Sequence, residues 1–121
     1  MSIKTIYLLE DDHDIQTLVS NALEKNGYRI LSFSTVHTFN RKVLEHLPDL
    51  FIIDLTLPDG NGGLLTEHLA ARRAGPSPPV IVMSADIKNG KNAIANGAQF
   101  FLPKPFQVDA LLAAVKHLLH A

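Results

Sequence analysis

The chain has no cysteine, almost no net charge and no long apolar segment. Without cysteine it can form neither a disulfide nor a thiolate metal site, and nothing points to redox chemistry. The formal net charge of -1 offers no electrostatic attraction for nucleic acid. No segment has the length of a signal peptide or a membrane span. We therefore predict a cytoplasmic protein with no nucleic-acid partner and no membrane partner.

The length and composition set the expected domain organisation. A chain of 121 residues, 46% of them hydrophobic, can bury a core without a disulfide or a structural metal. We expect residues 1–121 to form a single domain.

Short apolar segments alternate with amphipathic ones along the chain. The strand-like segments are "IKTIYLL", "RILSF", "LFIID", "VIVMS" and "FFL". Helical stripes run from Ile15 to Leu23 before Gly27, from Val36 to Leu47, from Leu64 towards Gly75, and from Val108 to Leu119. Several strands are apolar on both faces, which is typical of a parallel sheet covered by helices. This alternation predicts an open α/β sheet with its ligand site beyond the carboxyl ends of the strands.

Charged and hydroxyl residues follow four of the predicted strands. They are Glu10 and Asp11 in "EDDHD", Asp54, Ser84 and Lys104. Each group alone has a structural explanation: within "EDDHD", Asp12 or Asp14 can cap the first helix and acids in its first turn favour its dipole, Asp54 can cap a turn, a serine can cap a helix, and a lysine is usually solvated. None of these explanations requires the groups to share one edge of the sheet. Their common position favours a functional site.

Convergence of Glu10, Asp11 and Asp54 would require a positive partner. Two carboxylates 4 Å apart repel by about 4 kcal/mol at an effective dielectric constant near 20. Oxygen ligands favour Mg²⁺ over zinc. A hard cation, an ammonium group and a hydroxyl together suit a phosphoryl group, for which Asp54 would be the nucleophile.

The same segments resemble the receiver domain of two-component response regulators. "LLEDD" resembles its acidic pair, "FIIDLTLPDGNG" its phosphorylation loop, "VIVMSA" its switch strand and "FFLPKPF" its Lys-Pro segment. The resemblance covers essentially the whole chain. It implies a flavodoxin-like three-layer sandwich with a five-stranded parallel sheet in the order 2-1-3-4-5 and helices on both faces.

The resemblance also implies a role for each site residue. Asp54 would accept a phosphoryl group from a histidine kinase or a phosphotransfer protein. Asp11, Asp54 and the backbone carbonyl of Thr56 would bind Mg²⁺, with Glu10 assisting through water. Lys104, preceding a cis peptide bond to Pro105, would pair with phosphoryl oxygens, and Ser84 would bond one of them as Phe101 repositions. Phe101 as an aromatic fixed in the core is the alternative.

The resemblance also implies an activity and a set of partners for the chain. The chain would be no enzyme beyond its own phosphotransfer and dephosphorylation. A downstream protein would bind the face formed by the fourth helix, fifth strand and fifth helix, and phosphorylation could be linked to dimerisation. The chain would be either a stand-alone receiver or part of a longer protein. The alternative is an unphosphorylated pseudo-receiver, whereas Thr56 argues against a haloacid-dehalogenase-type phosphatase, which needs a second aspartate there.

The fourth helix, in "ADIKNGKNAIANGAQ", is the element with the weakest pattern. Gly90 costs about 1 kcal/mol in a helix interior, and only Ile87 and Ile94 offer a buried stripe. We therefore predict at most two helical turns around residues 91–96, after a mobile loop from Ala85 to Gly90 that phosphorylation orders.

Overall fold

A five-stranded parallel sheet forms the centre of the molecule. The computed structural model describes residues 3–57, 60–61 and 77–120. The sheet strands are β1 (Thr5–Leu9), β2 (Arg29–Phe33), β3 (Leu50–Asp54), β6 (Val80–Ser84) and β7 (Phe100–Pro103). Their order is β2-β1-β3-β6-β7, with every pair parallel. This is the predicted order 2-1-3-4-5.

A short antiparallel pair follows β3. Strand β4 (Thr56–Leu57) pairs with β5 (Gly60–Asn61), and Thr56 lies opposite Asn61. The sequence predicts a loop for this segment, and the structure shows a short antiparallel pair within it. The pair begins two residues after Asp54, directly beside the candidate site.

Helices cover both faces of the sheet. They are α1 (His13–Lys25), α2 (Val36–Glu45), α3 (Ile87–Ala95) and α4 (Val108–His120). The helix predicted from Leu64 towards Gly75 lies outside the described residues. The element labelled α3 is therefore the fourth of the predicted helices, and α4 is the fifth. Within the described part of the chain, no helix is long and apolar enough to span a membrane.

Two hydrophobic cores lie on opposite faces of the sheet. One contains Tyr7, Phe39 and Phe51, with Phe39 supplied by α2. The other contains Leu23 from α1 and Leu111 from α4. Strands β3 and β6 are buried along their whole length, because alternate side chains enter the two cores. Burial on both faces explains why these strands read as continuous apolar segments.

The prediction for the fourth helix was wrong in its bounds and in its anchors. Helix α3 begins at Ile87 and has nine residues, about two and a half turns, so no loop extends to Gly90. The Asp86 carboxylate accepts hydrogen bonds from the N–H groups of Lys88 and Asn89 and thereby caps the helix.

The buried side of α3 is formed by small residues. Gly90 and Ala93 are buried, whereas Ile87 and Ile94 are 59% and 42% exposed. Glycine has a low helix propensity, but a larger residue does not fit at this position. The ring of Phe101 occupies the space that a Cβ on Gly90 would need. The contact with Phe101 therefore explains why glycine is tolerated inside this helix.

Candidate functional site

The register of the parallel strands assembles the candidate site. Leu9 of β1 pairs with Ile53 of β3, so Glu10 follows at the level of Asp54. On the other side of β3, Asp54 pairs with Met83, so Ser84 lies one residue further towards the carboxyl edge of the sheet. The Lys104 N–H donates to the Ser84 carbonyl at 2.9 Å, which places the lysine at the same edge.

The acidic residues of "EDDHD" have two different roles: some stabilise the start of α1, and others belong to the candidate site. Asp12 is the N-cap of α1, where its Oδ1 accepts from the N–H groups of Asp14 at 2.9 Å and Ile15 at 3.1 Å. Asp14 lies in the first helical turn, where a negative charge is favourable. Glu10 is fully buried and Asp11 is exposed, and both belong to the carboxylate cluster. Asp12 is therefore the helix cap, whereas Glu10 and Asp11 belong to the candidate site.

Lys104 links the two buried carboxylates. Its Nζ lies 2.7 Å from Glu10 Oε1 and 3.3 Å from Asp54 Oδ2. These contacts raise the pKa of Lys104 despite the opposing effect of burial. Burial, with the neighbouring Asp54 carboxylate, raises the pKa of Glu10 to about 7, against a smaller lowering by Lys104. The ammonium group of Lys104 therefore does not fully offset the free-energy cost of ionising the buried Glu10 carboxyl group.

The three acids are close enough to share one cation. Single carboxylate oxygens of Glu10, Asp11 and Asp54 all lie within 4.8 Å of one another. Asp54 Oδ1 also accepts a hydrogen bond from the Thr56 N–H at 3.0 Å, which places the Thr56 backbone beside the cluster. An all-oxygen donor set of this kind fits a hard divalent cation such as Mg²⁺.

Ser84 connects the sheet edge to α3. This buried residue uses its Oγ to accept the N–H of Asp86, the cap of α3, at 2.9 Å. Phe101 is partly buried and packs against the core that contains Phe39. The peptide bond between Lys104 and Pro105 is cis, as the resemblance implied.

Gln16 is a further residue beside the acidic segment. Its Nε2 donates to the Glu10 carbonyl at 2.6 Å and to Ser34 Oγ at 3.1 Å. A single glutamine in the first turns of an amphipathic helix carries no sequence signal for such a contact. Only the folded arrangement brings it to the acidic segment.

Comparisons with known proteins agree with this architecture. The family described as "Response regulator receiver domain" matches residues 6–116. Swarming motility regulation protein RssB of Serratia marcescens is 35% identical over 113 residues, covering 92% of this chain and 51% of that protein. The chain thus spans about half the length of this curated relative.

Solved structures show the same fold. A putative response regulator from Chloroflexus aurantiacus superposes with a TM-score of 0.91 at 23% identity, over 99% of this chain and 100% of that one. The beryllofluoride-activated NtrC4 receiver domain dimer gives a TM-score of 0.87 at 28% identity, over 97% of each chain. The open α/β fold with acids and a lysine at its carboxyl edge defines a class of signalling domain. This chain belongs to the response regulator receiver domain family.

Proposed function

We propose that this chain is a phosphorylation-dependent signalling receiver that accepts a phosphoryl group on Asp54. The donor would be a sensor histidine kinase or a histidine phosphotransfer protein. The observation that carries this proposal is Lys104, whose ammonium group lies between the carboxylates of Glu10 and Asp54. The family match supports it, since the motifs that define the site fall within the matched residues.

The chemistry is a displacement at phosphorus. An Asp54 oxygen attacks the phosphorus of a phosphohistidine, the new O–P bond forms, and the P–N bond breaks. The electron pair of that bond stays on the imidazole nitrogen, which takes a proton from solvent. Lys104 neutralises charge on the transferred oxygens. We propose no enzymatic activity beyond this self-catalysed transfer and the later hydrolysis of the acyl phosphate.

The proposed cofactor is Mg²⁺. Asp11, Asp54 and the Thr56 carbonyl would hold it, with Glu10 assisting through water. When the acids are ionised, three carboxylates face one ammonium group, so a divalent cation balances the remaining charge. When bound, Mg²⁺ stabilises negative charge that develops on the phosphoryl oxygens.

The proposed switch runs from Ser84 to α3. Ser84 would turn its hydroxyl from the Asp86 N–H to a phosphoryl oxygen, while Phe101 changes its position beside Gly90. A downstream protein would then bind the face of α3, β7 and α4, where Ile87 and Phe100 are exposed. The beryllofluoride-activated NtrC4 receiver domain is a dimer, which supports a phosphorylation-linked dimer as a further proposal for this chain. We place this signalling in the cytoplasm.

Incubation with Mg²⁺ and a small acyl phosphate tests the proposal. The expected product carries one phosphoryl group that is stable in acid and labile in base. Asp54→Asn should remain unlabelled, because an amide keeps the shape of the side chain but cannot attack phosphorus. Asp14→Asn is the matched control, since Asp14 is an exposed acid of α1 outside the cluster. Unchanged labelling of Asp54→Asn would refute the assignment, and a folded wild-type chain that stays unlabelled would be a pseudo-receiver.

A further inference from the structure

Gln16 holds the backbone of the acidic segment at the point where β1 ends. The Glu10 N–H donates to the Phe33 carbonyl at 3.0 Å, which continues the ladder between β1 and β2 by one step. The next step would bring the Thr35 N–H to the Glu10 carbonyl, but Thr35 is the N-cap of α2. The Gln16 side-chain amide donates to that carbonyl instead, at 2.6 Å.

The Gln16 amide is itself fixed in orientation. Its Nε2 also donates to Ser34 Oγ at 3.1 Å, and Ser34 directly follows Phe33. The contacts of Glu10 with Phe33 and of Gln16 with Ser34 therefore reach two consecutive residues at the end of β2. Together they fix both backbone polar groups of Glu10.

Fixing the Glu10 backbone also orients the carboxylates. Glu10 Oε1 accepts a hydrogen bond from Lys104 Nζ, and Glu10 Oε2 accepts one from the Asp12 N–H. Asp11 is joined to Glu10 by the peptide group that contains the Glu10 carbonyl. A rotation of that peptide group would move Glu10 and Asp11 relative to Asp54, which sits on a separate strand. A change of this kind alters cation affinity, because a shared cation requires the three carboxylates to converge.

From these contacts we propose that Gln16 is a positioning residue for the Mg²⁺ site. It acts through the Glu10 carbonyl and does not itself bind the cation. This inference rests on the proposed function, because it assumes that the cluster binds Mg²⁺. Residues that orient metal ligands typically affect affinity by about 10- to 100-fold when they are replaced.

Ser20 provides a matched control on the same helix. It lies four residues beyond Gln16 and joins α1 to β2 through a hydrogen bond between its Oγ and that of Ser32 at 3.1 Å. This contact does not touch the acidic segment. Ser20→Ala therefore removes a comparable link between helix and sheet while leaving Glu10 held.

The test measures the Mg²⁺ dissociation constant by calorimetry in Gln16→Met, which keeps side-chain length without a donor. We expect at least about tenfold weaker binding in Gln16→Met and less than about a twofold change in Ser20→Ala. At saturating Mg²⁺ the labelling rate of Gln16→Met should approach that of the wild type. A reduced melting temperature with unchanged Mg²⁺ affinity would make Gln16 a structural residue only and overturn the proposal.

A second variant and the Mg²⁺ affinity of the wild-type protein complete the test. If Gln16→Met does not fold, Ser34→Ala serves instead, because it loosens the Gln16 amide by removing its second anchor and changes no residue of the carboxylate cluster. It should also weaken Mg²⁺ binding, and unchanged affinity would again overturn the proposal. Wild-type protein that binds no Mg²⁺ would overturn the proposed cofactor together with this inference, whereas normal wild-type binding with an unaffected Gln16 variant overturns the inference alone.

Discussion

The ring of Phe101 lies directly against Gly90, in the space that a Cβ on that residue would occupy. The contact joins β7 to α3, and Gly90 is buried within its helix. Alanine is the better helix former by about 1 kcal/mol, so intrinsic propensity and tertiary packing make opposite predictions for the substitution Gly90→Ala.

We expect packing to dominate at Gly90. Gly90→Ala should lower the free energy of unfolding by about 1–3 kcal/mol, because the ring or the helix must shift. In a Phe101→Ala background the same substitution should become neutral or stabilising. Urea unfolding of the four proteins of this double-mutant cycle measures the coupling. Equal effects of Gly90→Ala in both backgrounds would show that the ring does not determine the residue at this position.

Mg²⁺ should stabilise the protein through Asp11. A cation that binds only the folded state adds about 2.7 kcal/mol at a concentration 100 times its dissociation constant. Thermal unfolding with and without Mg²⁺ measures this gain. Asp11→Ala should abolish it and Asp14→Asn should keep it, because Asp14 lies outside the cluster. A full Mg²⁺ response in Asp11→Ala would contradict the assignment of Asp11 as a ligand.

The pH dependence follows from the raised pKa of Glu10. In the folded protein this pKa is about 7, compared with an ordinary value of 4.5. Between these values the folded state binds more protons than the unfolded state, so the metal-free protein should lose stability as pH rises through this window.

Mg²⁺ affinity should change in the opposite direction over the same pH window. It should increase as Glu10 loses its proton, because cation and proton compete for the cluster. Urea unfolding without metal, and Mg²⁺ titrations, at several pH values from about 5 to about 8 test both trends. Glu10→Gln should flatten both trends, and a variant that keeps both slopes would assign them to another group.

Replacement of Lys104 should separate metal binding from phosphoryl acceptance. Lys104→Met leaves Glu10 and Asp54 without their ammonium partner, which should destabilise the metal-free protein by about 3 kcal/mol at pH 8. Mg²⁺ should bind more tightly because the cluster is more negative, whereas labelling by an acyl phosphate should slow. Weaker Mg²⁺ binding in a folded Lys104→Met protein would contradict this electrostatic account.

Much of the fold could be predicted because the central strands are buried on both faces. The segments "LFIID" and "VIVMS" are apolar up to their last residues, Asp54 and Ser84, for that reason, and parallel pairing then brings their carboxyl ends together. The same logic predicted that Glu10, Asp11 and Asp54 would converge, and the structure places them in one cluster.

The errors and omissions arose where a contact in the folded chain outweighs helix propensity or has no sequence pattern of its own. Gly90 counted against a helix because propensity describes a residue without the ring of Phe101 beside it. Asp86 provides a cap that offsets part of that cost, and the sequence analysis had not used it as one. Gln16 had no local signal, because its partner carbonyl on Glu10 belongs to a separate element.

The small side chains on the buried side of α3 affect how easily this helix can be displaced. Burial of apolar surface contributes roughly 25 cal/mol per Å², and Gly90 and Ala93 supply far less of it than Val19 and Leu23 supply for α1. A shift of α3 across the sheet therefore sacrifices less hydrophobic free energy than an equal shift of α1. Its isoleucines are already exposed, so a binding partner has apolar surface to contact on α3 that the sheet does not cover.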